Sequence, residues 1–270
     1  MIGHSEQGSF LHHYTSVENA INILGGGEMW LGSIENANDP KEFSNWQLNQ
    51  KVGNTRLSFD KWQELSRAIS LACKKACKIA CFSTDVLTDH ESMIQRYVDT
   101  GCIGRGFAIS PMWHFYGGQH TGVCLMFNRE KLVDQLFAQW ADRESAYAEP
   151  IHYFDDQLPR DIGFEPYWFD PDELEELGFD SYIKLFLQQR MHEIYFKKQT
   201  VWEYEREFRL SVIDQSEGPF KLKFGNTLSH LCFGARCGDS DIQRVLEKLK
   251  SQNVGHDHIY FKNHTIQIKM

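Results

Sequence analysis

Residues 202–210, WEYEREFRL, alternate charged side chains with large apolar ones. Side chains two residues apart project from the same side of a β-strand. The pattern therefore predicts a strand with one face anchored in a core and the other face charged. The predicted charged face consists of Glu203, Glu205, Glu207 and Arg209, and the apolar face of Trp202, Tyr204, Phe208 and Leu210, interrupted by Arg206.

Three carboxylates in a row on one face need a compensating partner, because like charges about 7 Å apart along a strand repel one another. One interpretation is a solvated edge strand in which Arg209 pairs with Glu207. The other is a strand that holds its acids toward a cleft. The core-forming residues of the opposite face favour the cleft.

The order of the predicted elements indicates an α+β fold. Helices with an apolar stripe are predicted early in the chain, at 16–27 and 58–76, while strands accumulate late. The strongest apolar strand is predicted at 122–127. Residues 155–198 begin as a polar loop and then become helical. We therefore expect residues 1–270 to form one domain with an insertion at about 155–198.

Charge and hydrophobicity narrow the classes of function. The chain has 270 residues, 41% of them hydrophobic, and a net charge of −9. An acidic chain does not supply the clustered Lys and Arg of a general nucleic-acid-binding surface, and only Lys197, Lys198 and Arg206 suggest a local basic patch. There is no run of about 18 apolar residues and no signal-peptide pattern. We expect a soluble, cytoplasmic protein that does not use a membrane.

Cysteines and short motifs argue against several chemistries. The seven cysteines are an odd number and lie among apolar residues, which favours reduced thiols in a core. Cys73, Cys77 and Cys81 recur every four residues, but a predicted strand at Cys81 breaks the helical register, so a metal site is not expected. The usual dinucleotide, nucleoside-triphosphate and zinc-protease motifs do not occur.

Five short motifs occur in the same order as in a widespread bacterial family of unknown function. The family pattern reads HYT, NDPxE, CFS, WxxYxxxHxG and WxxExExR. In this chain the motifs stand at residues 13–15, 38–42, 81–83, 113–122 and 202–209. The resemblance extends from about residue 10 to residue 240. That family resembles a remote branch of the ADP-ribosyltransferase superfamily, which implies a split, mixed β-sheet with surrounding helices and NAD bound between two small sheets.

The resemblance implies roles for residues of these motifs. His13 would bond the ribose next to nicotinamide from the first strand. Tyr116 is the best match to the aromatic residue that stacks on nicotinamide, with Tyr97 and Trp113 as alternatives. Asp39 is expected to organise its loop by hydrogen bonds at the border of the cleft. The NAD-binding residues implied in this way are His13, Tyr14, Thr15, Asn38, Asp39, Tyr116 and His120.

The glutamates suit the chemistry that the resemblance implies. Cleavage of the bond between nicotinamide and ribose develops positive charge on the sugar, which a fixed carboxylate stabilises in the transition state. A second carboxylate can act as base for the attacking group. Glu205 and Glu207 are therefore the candidate catalytic residues, either of them being the essential acid, and Arg209 is expected to hold one acid ionised.

The activity implied by the resemblance is that of an NAD-dependent ADP-ribosyltransferase that modifies a macromolecule, either RNA, DNA or protein. An intracellular toxin or phage-defence effector with an antitoxin or immunity protein as partner is implied as well. NDP stands where related enzymes have STS, which leaves the acceptor class open. The alternatives are a non-catalytic nucleotide-sensing or interaction domain and an NAD glycohydrolase, in which water replaces the acceptor.

Overall fold

The computed structural model describes residues 9–86, 102, 104–155, 165–249, 254–262 and 265–269. The helices are α1 (Val17–Gly26), α2 (Pro40–Phe43), α3 (Phe59–Ala76), α4 (Ser110–Phe115), α5 (Arg129–Gln139), α6 (Pro171–Leu177), α7 (Phe179–Tyr195) and α8 (Asp239–Leu246). The strands are β1 (Phe10–Thr15), β2 (Glu28–Ser33), β3 (Asn49–Gln50), β4 (Cys77–Thr84), β5 (Val123–Asn128), β6 (Ala146–Pro150), β7 (His152–Tyr153), β8 (Trp168–Phe169), β9 (Lys197–Lys198), β10 (Glu207–Ile213), β11 (Phe220–Lys223), β12 (Leu228–Phe233), β13 (Gly255–Lys262) and β14 (Thr265–Lys269). This mixture confirms the predicted α+β class.

Ten of these strands form one mixed sheet. The order along the sheet is β11-β2-β4-β1-β5-β12-β13-β14, and β10 joins it by pairing with both β4 and β6. The neighbours are antiparallel, apart from β12 and β13, which run parallel. Strand β4 thus has three partners, which makes it the centre of the fold.

The sheet splits along one edge of β4. The other edge of this strand pairs with β10 without a break from Cys77 to Ser83. The split edge pairs with β1 only through Ser83 and Thr84, and with β2 only through Lys78 and Ile79. Strand β1 leaves β4 and follows β5 through six residue pairs instead. Among the described strands, none pairs with this edge at residues 80–82, and a cleft opens there.

Helices cover the sheet and form its cores. Helices α1, α5 and α8 pack on apolar side chains such as Leu125 and Leu231, whereas α3 and α7 pack together around residues such as Ile69 and Phe186. The side chains that α7 buries recur at helical spacing: Tyr182, Ile183, Phe186, Leu187, Met191, Ile194 and Tyr195. Helix α7 leads directly into β9, whose second residue is Lys198. In the part of the chain that the structure describes, no helix has the length and apolar content needed to cross a membrane.

Local signals of the first helix predicted its ends correctly. The Ser16 hydroxyl accepts a hydrogen bond from the backbone N–H of Asn19, as an N-cap residue does. Gly27 ends the helix in the left-handed conformation, with φ of 65°. The helix therefore holds β1 and β2 at a fixed separation, on either side of the split.

The predicted strand at 202–210 is wrong in its first half. Residues Thr200–Glu205 form a 3-10 helix, Arg206 is left-handed with φ of 48° and ψ of 47°, and β10 begins only at Glu207. Glu203 is exposed on the 3-10 helix, whereas Glu205 at its end is buried. The three glutamates therefore do not share one strand face. Glu205 and Glu207 reach the cleft from two different elements, because the turn at Arg206 redirects the chain.

Candidate functional site

A cavity of about 360 Å³ lies where the sheet splits. Its volume falls in the range of about 300–1,000 Å³ that is usual for small-molecule sites. Residues 79–82 of β4 form part of its lining. The polar side chains of the cavity include His13, Asn38, Glu42, Tyr116, Lys198, Glu205 and Glu207. His13 and Glu207, which were predicted to lie across one cleft, therefore line the same cavity.

His13 presents a hydrogen-bond acceptor to the cavity. Its Nδ1 lies 3.0 Å from the carbonyl oxygen of Cys81, on the split edge of β4. A carbonyl oxygen only accepts, so Nδ1 carries the proton and donates. Burial lowers the pKa of His13 below its ordinary value of 6.5, which keeps the ring neutral. Nε2 of the neutral ring then has a free lone pair for a ligand hydroxyl.

Glu207 is a buried carboxylate that is held ionised. Its Oε1 accepts from Nε of Arg209 at 2.7 Å, and its Oε2 lies 2.7 Å from Nζ of Lys198. The Cys81 thiol also hydrogen-bonds to it. Burial alone would raise its pKa, but Arg209 and then Lys198 outweigh burial and lower the pKa to about 2. The prediction that Arg209 holds one acid ionised is confirmed.

Glu205 is held differently. Its Oε1 accepts from the Tyr116 hydroxyl at 2.7 Å, and its Oε2 accepts from Nζ of Lys198 at 2.9 Å. Burial raises the pKa of this carboxyl, and the positive charge of Lys198 offsets that rise only in part. The two acids of the cleft therefore differ in kind: Glu207 stays charged, and Glu205 takes up a proton more readily.

Lys198 joins the two acids. It is buried, and its Nζ lies within 3 Å of both Glu205 and Glu207. Burial disfavours its charge, but the Glu207, Glu42 and Glu205 carboxylates prevail and raise its pKa above the ordinary value. Lys198 is therefore a permanent cation inside the site.

The NDPKE loop supplies the outer contacts of this cluster. Asn38 hydrogen-bonds to the Tyr116 hydroxyl, and Glu42 lies 2.8 Å from Nη2 of Arg209. Asp39 does not line the cavity. Its carboxylate caps α2 by accepting from the backbone N–H of Lys41 at 2.9 Å, and Pro40 is the first residue of that helix. The predicted organising role of Asp39 is confirmed in its geometry.

These contacts form a continuous chain of polar side chains. It begins at Asn38 and ends at Glu42, which lies only four positions further along the sequence, in α2. Its members in order are Asn38, Tyr116, Glu205, Lys198, Glu207, Arg209 and Glu42. With all groups ionised, three carboxylates face two cations, so the cluster carries one net negative charge.

Thr15 and His120 were predicted to bind NAD, and neither lines the cavity. Thr15 ends β1 and is buried opposite Val123 of β5. His120 has a left-handed backbone, with φ of 72°, in the turn after α4, and its ring contacts Phe261 of β13. That turn directs the His120 ring away from β4. These two residues, like Asp39, support the structure around the site.

Tyr116, Trp113 and Tyr97 were the candidates for the aromatic residue that stacks on nicotinamide. Of the two that the structure describes, Tyr116 lines the cavity and Trp113 does not. Trp113 is fully buried, and its indole N–H donates to the carbonyl of Phe107. Tyr97 lies outside the described residues. Tyr116 lines the cavity and is tied to Glu205. Tyr14 also lines it, but its hydroxyl donates to the carbonyl of Gly106 at 2.6 Å, so its polar end is already occupied.

The His12 side chain lies on the opposite face of β1 from His13, because successive side chains of a strand alternate between its two faces. Its Nε2 lies 2.8 Å from Oδ1 of Asp85, and the same oxygen accepts from the backbone N–H of Gly106. A Cβ on Gly106 would come within 2.2 Å of the His12 ring, so only glycine fits at that position. His12 therefore stabilises the strand that presents His13.

Sequence reasoning missed the role of Lys198. Together with Lys197 and Arg206 it suggested a local basic patch for nucleic acid, but the buried Lys198 adds no surface charge to such a patch. Lys198 is buried between two acids, Lys197 pairs with Glu193, and the Arg206 guanidinium donates to the carbonyl of Gly104. A lysine seven and nine residues before two glutamates has no regular spacing that would reveal the contact.

The described residues contain no group of three or more His, Cys, Asp or Glu side chains arranged to hold a metal ion. The seven cysteines are free thiols, and Cys73 and Cys77 are buried in the core that α3 and α7 share.

Residues 112–210 match the family described as Protein of unknown function (DUF2971). This part of the chain is therefore similar to a domain family of unknown function. The matched segment is less than half of the 270 residues, yet it contains Tyr116, Lys198, Glu205 and Glu207. His13 and the NDPKE loop lie outside it. No curated protein matches the chain at a significant level.

Proposed function

We propose that this protein binds NAD in the cleft and transfers ADP-ribose to a macromolecular acceptor. The observation that carries the proposal is the split between β1 and β4, which brings His13, Tyr116, Glu205 and Glu207 into one cavity. In the ADP-ribosyltransferases that the sequence motifs resemble, a first-strand histidine, an aromatic residue and a late-strand glutamate have the same order along the chain.

The residues of the cavity suit the nicotinamide end of NAD. Neutral His13 accepts a hydrogen bond from a ribose hydroxyl through Nε2. The Tyr116 ring offers a flat surface for nicotinamide. Trp30 lines the same cavity, is 52% exposed and offers a second flat surface for the adenine end. The single net negative charge of the polar cluster suits a positively charged nicotinamide ring.

The two acids divide the work in this proposal. NAD supplies the bond that breaks, between the nicotinamide nitrogen and C1′ of the ribose, and nicotinamide leaves with the electron pair. Glu207 stays ionised and stabilises the positive charge that develops on the ribose. Glu205 accepts the proton of the attacking acceptor group. Acids whose surroundings push their pKa values apart commonly take such different roles.

RNA, DNA or protein is the proposed acceptor class, and a toxin or phage-defence effector controlled by an antitoxin or immunity protein is the proposed biological setting. Both rest on the resemblance of the motifs. An NAD glycohydrolase is the nearest alternative, since it needs the same cavity with water as the acceptor. A non-catalytic nucleotide sensor would keep NAD binding and lose turnover.

Incubation with NAD labelled in the adenylate moiety, with and without a cell lysate, tests the proposal. We expect the label on a macromolecule, nicotinamide in equal amount, and neither product with Glu207→Gln. Nuclease or protease treatment of the labelled material identifies the acceptor class. Free ADP-ribose alone would identify a glycohydrolase. Binding without any product would overturn the catalytic proposal.

A further inference from the structure

Lys198 occupies an unusual position for a lysine. It is buried, lines the cavity and contacts two carboxylates with one ammonium group, at 2.9 Å for Glu205 and 2.7 Å for Glu207. A buried cation is costly unless it is paired, so its contacts are a requirement of the fold. Glu207 has Arg209 as a second cation at 2.7 Å. The ion pairs of Glu205 in the described residues involve Lys198 alone.

We propose that Lys198 is a positioning residue that keeps Glu205 ionised and oriented to accept a proton, and that it thereby sets the lower pH limit of the transfer reaction. This role rests on the proposed function. It differs from the role of Arg209, which has no contact with Glu205 and acts on Glu207 and Glu42. Lys198 is thus the main cation that supports the charge of Glu205, and Arg209 is the main cation that supports the charge of Glu207.

The asymmetry between the two acids supports this assignment. Lys198 is the largest influence that lowers the pKa of Glu205, ahead of the hydrogen bond from Tyr116. For Glu207 the largest such influence is Arg209, with Lys198 second. Loss of the Lys198 charge therefore removes the main support of Glu205 and only a secondary support of Glu207.

Other charged and titratable groups also raise or lower the pKa values of Glu205 and Lys198. Glu207 raises the pKa of Glu205, while the Tyr116 hydroxyl lowers it. At Lys198, Glu42 favours the charge and Arg209 opposes it. The groups near the pair come from six places: Tyr116 after α4, Glu42 in α2, Cys81 in β4, Glu207 and Arg209 in β10, Tyr153 in β7 and Tyr204 in the 3-10 helix.

The pH profile of NAD turnover in Lys198→Met, Lys198→Arg and wild type tests the proposal. In Lys198→Met the acidic limb should move to higher pH by about one unit or more, since an opposite charge at this distance typically shifts a pKa by that amount. Lys198→Arg keeps the charge and should hold the limb near its wild-type position. Lys197→Met is the matched control, because Lys197 pairs with Glu193 outside the cavity.

A second readout does not depend on activity. In protein labelled with ¹³C at the glutamate side-chain carboxyls, the Glu205 signal is assigned by its loss in Glu205→Gln, and its titration is followed by NMR. We expect its midpoint to rise in Lys198→Met and to stay unchanged in Lys197→Met. This measurement separates a failure of the Lys198 proposal from a failure of the NAD proposal.

An unchanged Glu205 titration in Lys198→Met would overturn the proposal, as would a loss of turnover that is equal at every pH. If Lys198→Met does not fold, the double variant Lys198→Met with Glu207→Gln removes one charge of each sign and allows the same NMR titration. A Glu205 midpoint in that variant at or below the midpoint of Glu207→Gln alone would likewise reject the role of Lys198, because the loss of Glu207 by itself lowers the Glu205 pKa.

Discussion

Single residues of the cleft differ in what supports their charge, and this difference sets their expected chemistry. Glu207 has two cations within 3 Å, whereas Glu205 has one cation and the neutral Tyr116 hydroxyl. His13 has no charged partner among the described contacts and is kept neutral by burial. A fixed anion, a proton acceptor and a neutral hydrogen-bond acceptor thus lie in one cavity.

Glu207→Gln should abolish most turnover, and the protein should still fold, because Glu205 still pairs with Lys198 and Glu42 with Arg209. The substitution retains shape but removes the charge that stabilises the transition state, for which a loss of about 100- to 1,000-fold is typical. NAD affinity should change little, because the charge acts mainly in the transition state. Turnover, NAD affinity and thermal midpoint are measured together. Glu203→Gln is the control, because Glu203 is exposed. Full activity in Glu207→Gln would remove Glu207 from the mechanism.

His13 should make stability fall as the solution becomes more acidic. Its pKa in the folded protein is lowered from 6.5, so the unfolded chain takes up a proton first as the pH falls. The stabilisation is complete above the unfolded-state pKa and is lost below it, down to the folded-state pKa. Other histidines contribute as well, so the difference between wild type and His13→Asn is the quantity to measure. That difference in unfolding free energy should shrink as the pH falls from about 7.5 through the unfolded-state pKa of histidine. Parallel curves would contradict the burial of His13.

At the scale of elements, two short segments place the side chains of the polar cluster. The loop before α2 and the helix itself position Asn38 and Glu42, respectively, at the two ends of the polar cluster. The turn at Arg206 separates a 3-10 helix from β10 and lets acids at 205 and 207 converge. The carbonyl of Arg206 accepts from the backbone N–H of Thr84 at 3.0 Å, which ties this turn to the end of β4.

Asp39→Ala should destabilise α2 and weaken the site indirectly. Loss of a helix N-cap typically costs about 0.5–2 kcal/mol of unfolding free energy. Asn38 and Glu42 then lose their fixed positions, so NAD affinity and turnover should both fall. Asp39→Asn keeps an oxygen for the Lys41 N–H and should retain most of both. If Asp39→Ala lowered the thermal midpoint alone, the loop would be a scaffold without influence on the ligand.

Substitutions at Arg206 measure how much unfolding free energy the left-handed backbone at this position costs. Glycine adopts the left-handed conformation freely, whereas a β-branched residue does so only with strain. Arg206→Val should be less stable than Arg206→Gly by about 1–2 kcal/mol. Both variants lose the guanidinium contact with Gly104, so the comparison cancels it. Turnover should also be lower in the valine variant, because strain at 206 displaces Glu205. Equal denaturation midpoints would mean that the turn relaxes.

For the whole molecule, the sequence predicted the fold class better than the shapes of the short elements. The α+β class follows from the order of the predicted helices and strands, and the expectation that His13 and Glu207 line one cleft came from the resemblance of the motifs. The strand at 202–206 was wrong because alternating polarity in a short stretch does not distinguish a strand from a 3-10 helix ended by a left-handed residue. The contacts of Lys198 could not be predicted, since they depend on how α7 directs β9 toward the cleft.

The overall charge of the chain predicts an unusual salt dependence. With a net charge of −9, the protein repels an anionic dinucleotide at long range. Raising the ionic strength from about 20 mM to about 200 mM shortens the range of that repulsion and should increase the NAD association rate a few-fold. Stopped-flow fluorescence measures the rate, with uncharged nicotinamide as the control. A rate that falls with salt would indicate a local cationic entry to the cleft.

The split along β4 leaves a short stretch of sheet edge that is flanked on both sides by strands of the same sheet. Exposed edges are where foreign strands add and aggregation begins. Here β1 and β2 flank the open part of β4. The carbonyl oxygen of Cys81 accepts a hydrogen bond from the ring of His13 instead of from a neighbouring strand. An extended peptide cannot pair along this edge, because β1 and β2 occupy β4 on both sides of the gap. A compact molecule meets the backbone groups of residues 80–82, which in a continuous sheet would pair with a neighbouring strand.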